Sequence, residues 1–187
     1  MDSLRRFRQT FLFKAGLVAL VVALLQGTVG ASPFGQGVFG ADVPFGSATS
    51  LSIDVGGDVG LALAPSGGTF SGTGSHVVTV TSTDVVGYIL YLHSLGATDL
   101  SDGTATIPTS ANSSPGPLTV NSWGYNTTGS GSDFAGITTY SRPIKTTTGP
   151  YKNGDATTVT YGAKTDITQA ASAYQVSIVY TAVAPNP

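Results

Sequence analysis

The stretch Tyr174-Gln175-Val176-Ser177-Ile178-Val179-Tyr180-Thr181-Ala182-Val183 decides the fold class. Tyr174, Val176, Ile178, Tyr180 and Ala182 alternate with Gln175, Ser177, Val179, Thr181 and Val183. That period of two places one set on the buried face of a strand and the other outside. The same alternation recurs upstream. Leu51, Ile53 and Val55 oppose Ser52 and Asp54, and Val59, Leu61 and Leu63 resume after Gly56-Gly57-Asp58. Val78 and Val80 point inward over residues 76–83, with Thr79 and Thr81 outward. Tyr88, Leu90 and Leu92 share a face over residues 87–94, and Val159 and Tyr161 do so over 157–163. Shorter strand signals lie at residues 118–125, 134–140 and 143–147.

Turn chemistry separates these runs. Pro65-Ser66-Gly67-Gly68, Gly96-Ala97-Thr98-Asp99, Ser101-Asp102-Gly103, Thr148-Gly149-Pro150 and Asn153-Gly154-Asp155 all read as turns, with loops over residues 108–117 and 126–133. The chain has ten Asp and no Glu. Glu is a good helix former, whereas Asp competes for local backbone donors and favours turns. Eight or nine short strands at this spacing predict an all-β, antiparallel Greek-key β-sandwich, Ig-like or jelly-roll-like, over residues 51–187. No helix longer than a turn or two is expected in it.

The N-terminus reads differently. Arg5, Arg6, Arg8 and Lys14 form a cationic region, Ala15 to Leu25 carries no polar side chain, and small residues follow at Val29 and Ala31. This is the order of a signal peptide, expected as a signal helix over residues 1–31 with cleavage after Ala31. The apolar run falls short of the ~20 residues of a bilayer span; the alternative is an uncleaved anchor extended through Phe11 to Phe13. Residues 32–50 form a linker in which Pro33-Phe34-Gly35, Val38-Phe39-Gly40 and Pro44-Phe45-Gly46 repeat a Phe-Gly pair. Phe34, Phe39 and Phe45 either dock in a groove of a partner by strand addition or fold back over their own domain.

Charge and chemistry narrow the function. Beyond residue 31, Arg142, Lys145, Lys152 and Lys164 stand against nine Asp, a net charge of −5 with His neutral. Nucleic acid requires a dense basic face, so none is expected as a partner. Without Cys there is neither disulfide nor thiolate chemistry. An acyl-transfer triad needs an imidazole held by a carboxylate, yet His76 and His93 sit within strand patterns and read as structural or surface residues. Two His without Glu make no zinc motif. Asp54 with Asp58, and Asp99 with Asp102, fit turns better than a calcium loop. Paired carboxylates for glycoside hydrolysis lack a marked acid. Neither catalysis, a cofactor nor a metal is expected.

Trp123 and Tyr125, in Asn121-Ser122-Trp123-Gly124-Tyr125, are the candidate binding residues of the domain. Exposed, the pair would stack on sugar faces; buried, Trp123 would fill the space between sheets. Lys145, Lys152 and Lys164 also admit an internal isopeptide bond to Asn or Asp, although no spacing selects one.

Several stretches together resemble a family. The signal-like N-terminus and aromatic-Gly linker are joined by Val78-Thr79-Val80-Thr81 leading to Gly87-Tyr88-Ile89-Leu90. The loop from Ile107-Pro108 to Ser114-Pro115, Asn121-Ser122-Trp123-Gly124-Tyr125, and Ala173-Tyr174 to Tyr180-Thr181-Ala182 complete the set. This combination resembles small secreted β-sandwich surface proteins of candidate-phylum (Saccharibacteria-like) bacteria. It is more distantly similar to the WxL cell-wall-binding domain in its Gly-aromatic-x-Leu strand and Tyr-rich closing strand. Tyr88 stands where the first WxL motif has Trp, and Val179-Tyr180-Thr181-Ala182 lacks the second. The resemblance implies a surface location.

The expected function is that of a secreted, non-catalytic cell-surface binding module, envelope-associated or adhesin-like. The alternative is a structural subunit of a surface fibre or pilus assembled through the N-terminal arm. Expected partners are cell-wall polysaccharide, a host or neighbouring surface, or further copies of the chain. A membrane is expected only through an uncleaved N-terminal segment. Ala184-Pro185-Asn186-Pro187 carries no hydrophobic tail, so sortase-type wall attachment is not expected.

Overall fold

The computed structural model describes residues 50–185, which fall within a compact unit spanning Gly37–Pro187. The expected signal helix, the linker up to residue 49 with Phe34, Phe39 and Phe45, and the last two residues lie outside the described residues. Within them every regular element is a strand, and each ladder is antiparallel.

The strands are β1 (Ser50–Val55), β2 (Ala64–Ser66), β3 (Thr69–Thr83), β4 (Ile89–Ser94), β5 (Leu100–Ser101), β6 (Thr106–Ile107), β7 (Gly116–Pro117), β8 (Ser122–Asn126), β9 (Asp133–Phe134), β10 (Arg142–Thr146), β11 (Tyr151–Asp166) and β12 (Ile178–Val183). The larger sheet runs β1-β3-β11-β8, with β2 on β3. A second runs β10-β4-β12, and β5-β6 and β7-β9 form two-stranded ribbons. From β3 onward, each connection between strands of the two larger sheets carries the chain from one sheet to the other.

Two strands are long, contrary to the expected run of short ones: β3 has 15 residues and β11 has 16. The apparent interruptions are absorbed rather than turned. Gly154, at φ 85°, lies inside β11, where the register shifts between Tyr151 and Asp155. Asn153-Gly154-Asp155 is therefore a bulge and not a turn, because extra residues on one strand of a pair kink it without ending it. The Gly67-Gly68 turn does join β2 to β3, with φ of 58° and 80°, as a two-residue hairpin requires.

Inward and outward parity follows the sequence in the central strands. Val78, Val80, Tyr88, Leu90 and Val159 are fully buried, and Tyr161, Ala163, Trp123 and Tyr125 join them in one core cluster fed by both larger sheets. Burial of each Val or Leu side chain stabilises by roughly 1.5–3 kcal/mol. From the β12 side, Ile178, Tyr180 and Ala182 pack against this cluster.

Three strand expectations shift. Residues 59–63 keep their alternating burial but form no ladder; a Cβ on Gly72 would stand 2.3 Å from Ala62 O, so this segment lies against the face of β3. The strand over 118–125 begins only at Ser122, after Asn121 at φ 61°. The strand over 134–140 reduces to β9, although Phe134, Ala135 and Ile137 are buried. There the backbone is pressed against neighbouring backbone. A Cβ on Gly124 would lie 2.3 Å from Ala135 O, and one on Gly162 would lie 2.3 Å from the Phe134 ring.

Gly136 is the tightest of these positions, because an added Cβ would fall 1.8 Å from Ser110 O. Gly136→Ala is expected to cost about 3 kcal/mol, the upper part of the overpacking range. It should appear as a lower urea midpoint with an unchanged m-value. An unchanged midpoint would contradict this packing.

Candidate functional site

The bulge at Gly154 sets the position of Asp155. From β11 this carboxylate accepts a bond from Lys145 Nζ on β10 at 2.7 Å through Oδ1, and from Tyr88 Oη beside β4 at 2.7 Å through Oδ2. Lys145 also lies 3.4 Å from Ala156 O. It is the one ion pair among the described residues, and it joins the two larger sheets. Burial pushes the Asp155 carboxyl up, but the bonds from Lys145 and Tyr88 hold it below its ordinary value. Burial and the neighbouring carboxylate drive the Tyr88 hydroxyl far above its own. Of the three lysines considered for an isopeptide bond, Lys145 is the one brought to a carboxylate.

Beside this pair opens a groove of about 550 Å³, lined by Thr127, Thr128, Gly129, Ile144, Lys145, Ala156, Thr157 and Thr158. Its loop is built by Asn126, which is 1% exposed. Asn126 Nδ2 donates to Ser130 O and Asp133 O at 2.9 and 2.8 Å, while Oδ1 accepts from the Thr128 and Gly129 amides at 3.1 and 3.0 Å. The groove edge is therefore preset before any ligand arrives. Thr157 Oγ1 is buried without a hydrogen-bond partner, a defect that costs ~1–3 kcal/mol. The exposed threonines of the groove are Thr127, Thr128 and Thr158, whose hydroxyls can both donate and accept.

Trp123 and Tyr125 are 2% and 7% exposed. The Trp123 indole Nε1 donates to Thr98 O at 3.0 Å, and its ring lies 6.3 Å from that of Tyr161. As placed, neither ring offers a face to solvent, so packing accounts for both and the stacking platform does not form.

His76 takes part in an inter-sheet chain. Its Nδ1 lies 2.8 Å from Gly57 O, and a carbonyl only accepts, so Nδ1 carries the proton in the neutral ring. Nε2 then accepts from Tyr180 Oη at 2.7 Å, and Tyr180 is bonded in turn to Tyr161 Oη. His93 Nδ1 lies 3.3 Å from Ser141 Oγ. Neither imidazole is bonded to a carboxylate among the described residues.

Of the four Asp residues weighed for calcium, Asp54 lies within β1 and Asp102 serves a turn. Asp102 Oδ1 accepts from the Thr104 and Ala105 amides at 2.8 and 2.7 Å, which lowers its pKa. Asp99 Oδ1 lies 3.3 Å from Thr98 Oγ1. Among the described residues no group of three His, Asp or Glu could hold a metal ion.

Sequence reasoning missed Asp155, Asn126 and Thr157. Asn126-Thr127-Thr128-Gly129 did carry a signal, since an Asn followed by Gly three residues on is the pattern of a side chain that templates its own turn. Nothing local marks Asp155 as the partner of Lys145, because the pairing depends on which strands face each other.

No protein-family model, curated protein or solved structure matches the chain.

Proposed function

We propose that this chain is an exported, non-catalytic binding module of the cell surface, whose domain is a Greek-key β-sandwich and whose ligand is a hydroxyl-rich polymer of the cell envelope. The observation that carries this reading is the groove beside Lys145, with its exposed Thr127, Thr128 and Thr158 and its preset loop. Binding groups held in place before the ligand arrives reduce the ordering cost of association. The neutralised Lys145–Asp155 pair gives the groove polarity without strong net charge, which favours sugar hydroxyls over a polyanion. Export is supported by the N-terminal order of cations, apolar run and small residues.

The test is sedimentation with purified cell wall. The wild-type protein should pellet with wall, and Thr158→Arg, which fills the groove from an exposed position, should cut the bound fraction at least tenfold while leaving the unfolding midpoint unchanged. Wild-type protein that stays in solution would sink the wall ligand. Equal pelleting of the variant would move the site away from this groove.

A further inference from the structure

The strands at the rims of the two larger sheets are protected unequally. A sheet edge presents unpaired backbone groups, and proteins blunt such edges with Pro, Lys and covering loops. β10 carries Arg142, Pro143 and Lys145, and Arg142 is tied down through Nη2 to Ser113 O at 2.8 Å. The outer side of β8 is occupied by bridges from Thr109 to Trp123 and from Tyr125 to Ala135. β12 leaves one large apolar side chain exposed, Val183.

β1 has none of these protections among the described residues. It carries no Pro and no cation, and Ile53 and Val55 are 37% and 42% exposed although they stand opposite the fully buried Val80 and Val78. β12 touches β1 without forming a ladder with it. Instead it lies across the core face of β3, where Tyr180 reaches His76.

The direction of the free backbone groups follows from the register. Gly56 N donates to Val77 O at 3.0 Å, so position 56 faces β3. With no shift in the β1–β3 register, positions 50, 52 and 54 face β3 as well. Leu51 and Ile53 therefore turn their amides and carbonyls to the open edge, and Val55 its amide, while the Val55 carbonyl already accepts from Gly57 N at 2.8 Å.

We propose that β1 pairs antiparallel with β1 of a second copy of this chain, across a two-fold axis at Ile53. An isologous interface needs a self-complementary strand, and Ser50–Val55 is one. Centred at Ile53, the pairing sets Ile53 against the partner's Ile53 and Leu51 against the partner's Val55, all on the core-facing side. On the outer side Ser52 meets the partner's Asp54, so no two like charges stand opposed. A one-residue slip would set core-facing against outward-facing side chains. The result is a continuous sheet of two five-stranded halves.

The chain has no Cys, so a disulfide can report the register without background. Ser52 and the partner's Asp54 form the close, non-hydrogen-bonded pair, whose Cα separation of about 4.5 Å suits a disulfide. Light scattering on the purified full chain should give twice the monomer mass. The double variant Ser52→Cys/Asp54→Cys should convert to a covalent dimer on mild oxidation, whereas Ser52→Cys alone should not. Ile53→Lys should halve the mass while keeping the circular dichroism of the folded β domain, and should lower the unfolding midpoint only to the extent that association stabilises the wild type. A monomeric wild type, a dimer that survives Ile53→Lys, or equal cross-linking of the single variant would each overturn the pairing. A monomer whose Leu51, Ile53 and Val55 amides resist hydrogen exchange would show the chain's own N-terminal segment on this edge, and would overturn it equally.

Discussion

Raising the pH from 9 to 12 is expected to unfold the protein cooperatively. Tyr88, Tyr125 and Tyr161 are 0%, 7% and 5% exposed, and Tyr180 is half-buried and bonded to Tyr161. Burial raises the pKa of all four, Tyr161 to about 12. In the unfolded chain they ionise near 10, as exposed tyrosines do. Above that pH the native state holds protons that the unfolded state has lost, so stability falls as pH rises; below it neither state has ionised and the contribution is complete. Each retained proton costs about 1.4 kcal/mol per pH unit, and four together roughly 5 kcal/mol per unit. By pH 12 the loss reaches about 10 kcal/mol, the middle of the ordinary range of about 5–15 kcal/mol for a domain. Tyrosinate absorbance read beside circular dichroism checks this, since half of the eight tyrosines should ionise only with the loss of structure. Complete ionisation near pH 10 with the fold intact would refute it.

Trp123→Ala should be the most damaging single truncation, at about 3–5 kcal/mol. It empties the largest buried side-chain volume, shared by β8 and Tyr161. It also strips Thr98 O of its donor, since Trp123 Nε1 supplies that bond. Trp123→Phe restores much of the volume and leaves only the carbonyl unpaired, a cost of about 1–3 kcal/mol. The discriminating measurement sets urea unfolding beside wall sedimentation. Packing predicts a lowered midpoint for both variants and full pelleting by folded Trp123→Phe. A variant with a wild-type midpoint but lost pelleting would restore Trp123 as a ligand platform.

The sequence disclosed the faces of strands better than their ends. Val78, Val80, Tyr88, Leu90 and Val159 were legible because alternation is local and the pleat fixes what alternates. The lengths of β3 and β11 were not, since a glycine that ends a strand and one that lets a neighbouring backbone pass close look alike in sequence. Gly72 was of the second kind, and Gly154 was neither, since it turns a bulge inside β11. The Lys145–Asp155–Tyr88 cluster was hidden because Asp155 belongs to one sheet, while Lys145 belongs to the other and Tyr88 to the loop that enters it. Trp123 could be read either as core or as surface until its neighbours were known.

The facing pair Gly162 and Gly124 has a consequence for how the chain finds its alignment. Phe134 lies on Gly162, and its neighbour Ala135 is bridged to β8 through Tyr125. If β8 and β9 slipped two residues along β11, the ring would land on Thr160 or Lys164, whose Cβ atoms occupy the space it needs. A wrong alignment thus fails by volume, before any hydrogen bond distinguishes it from the right one. The two glycines act as a proofreading notch, so this strand pair has one register in which it can close.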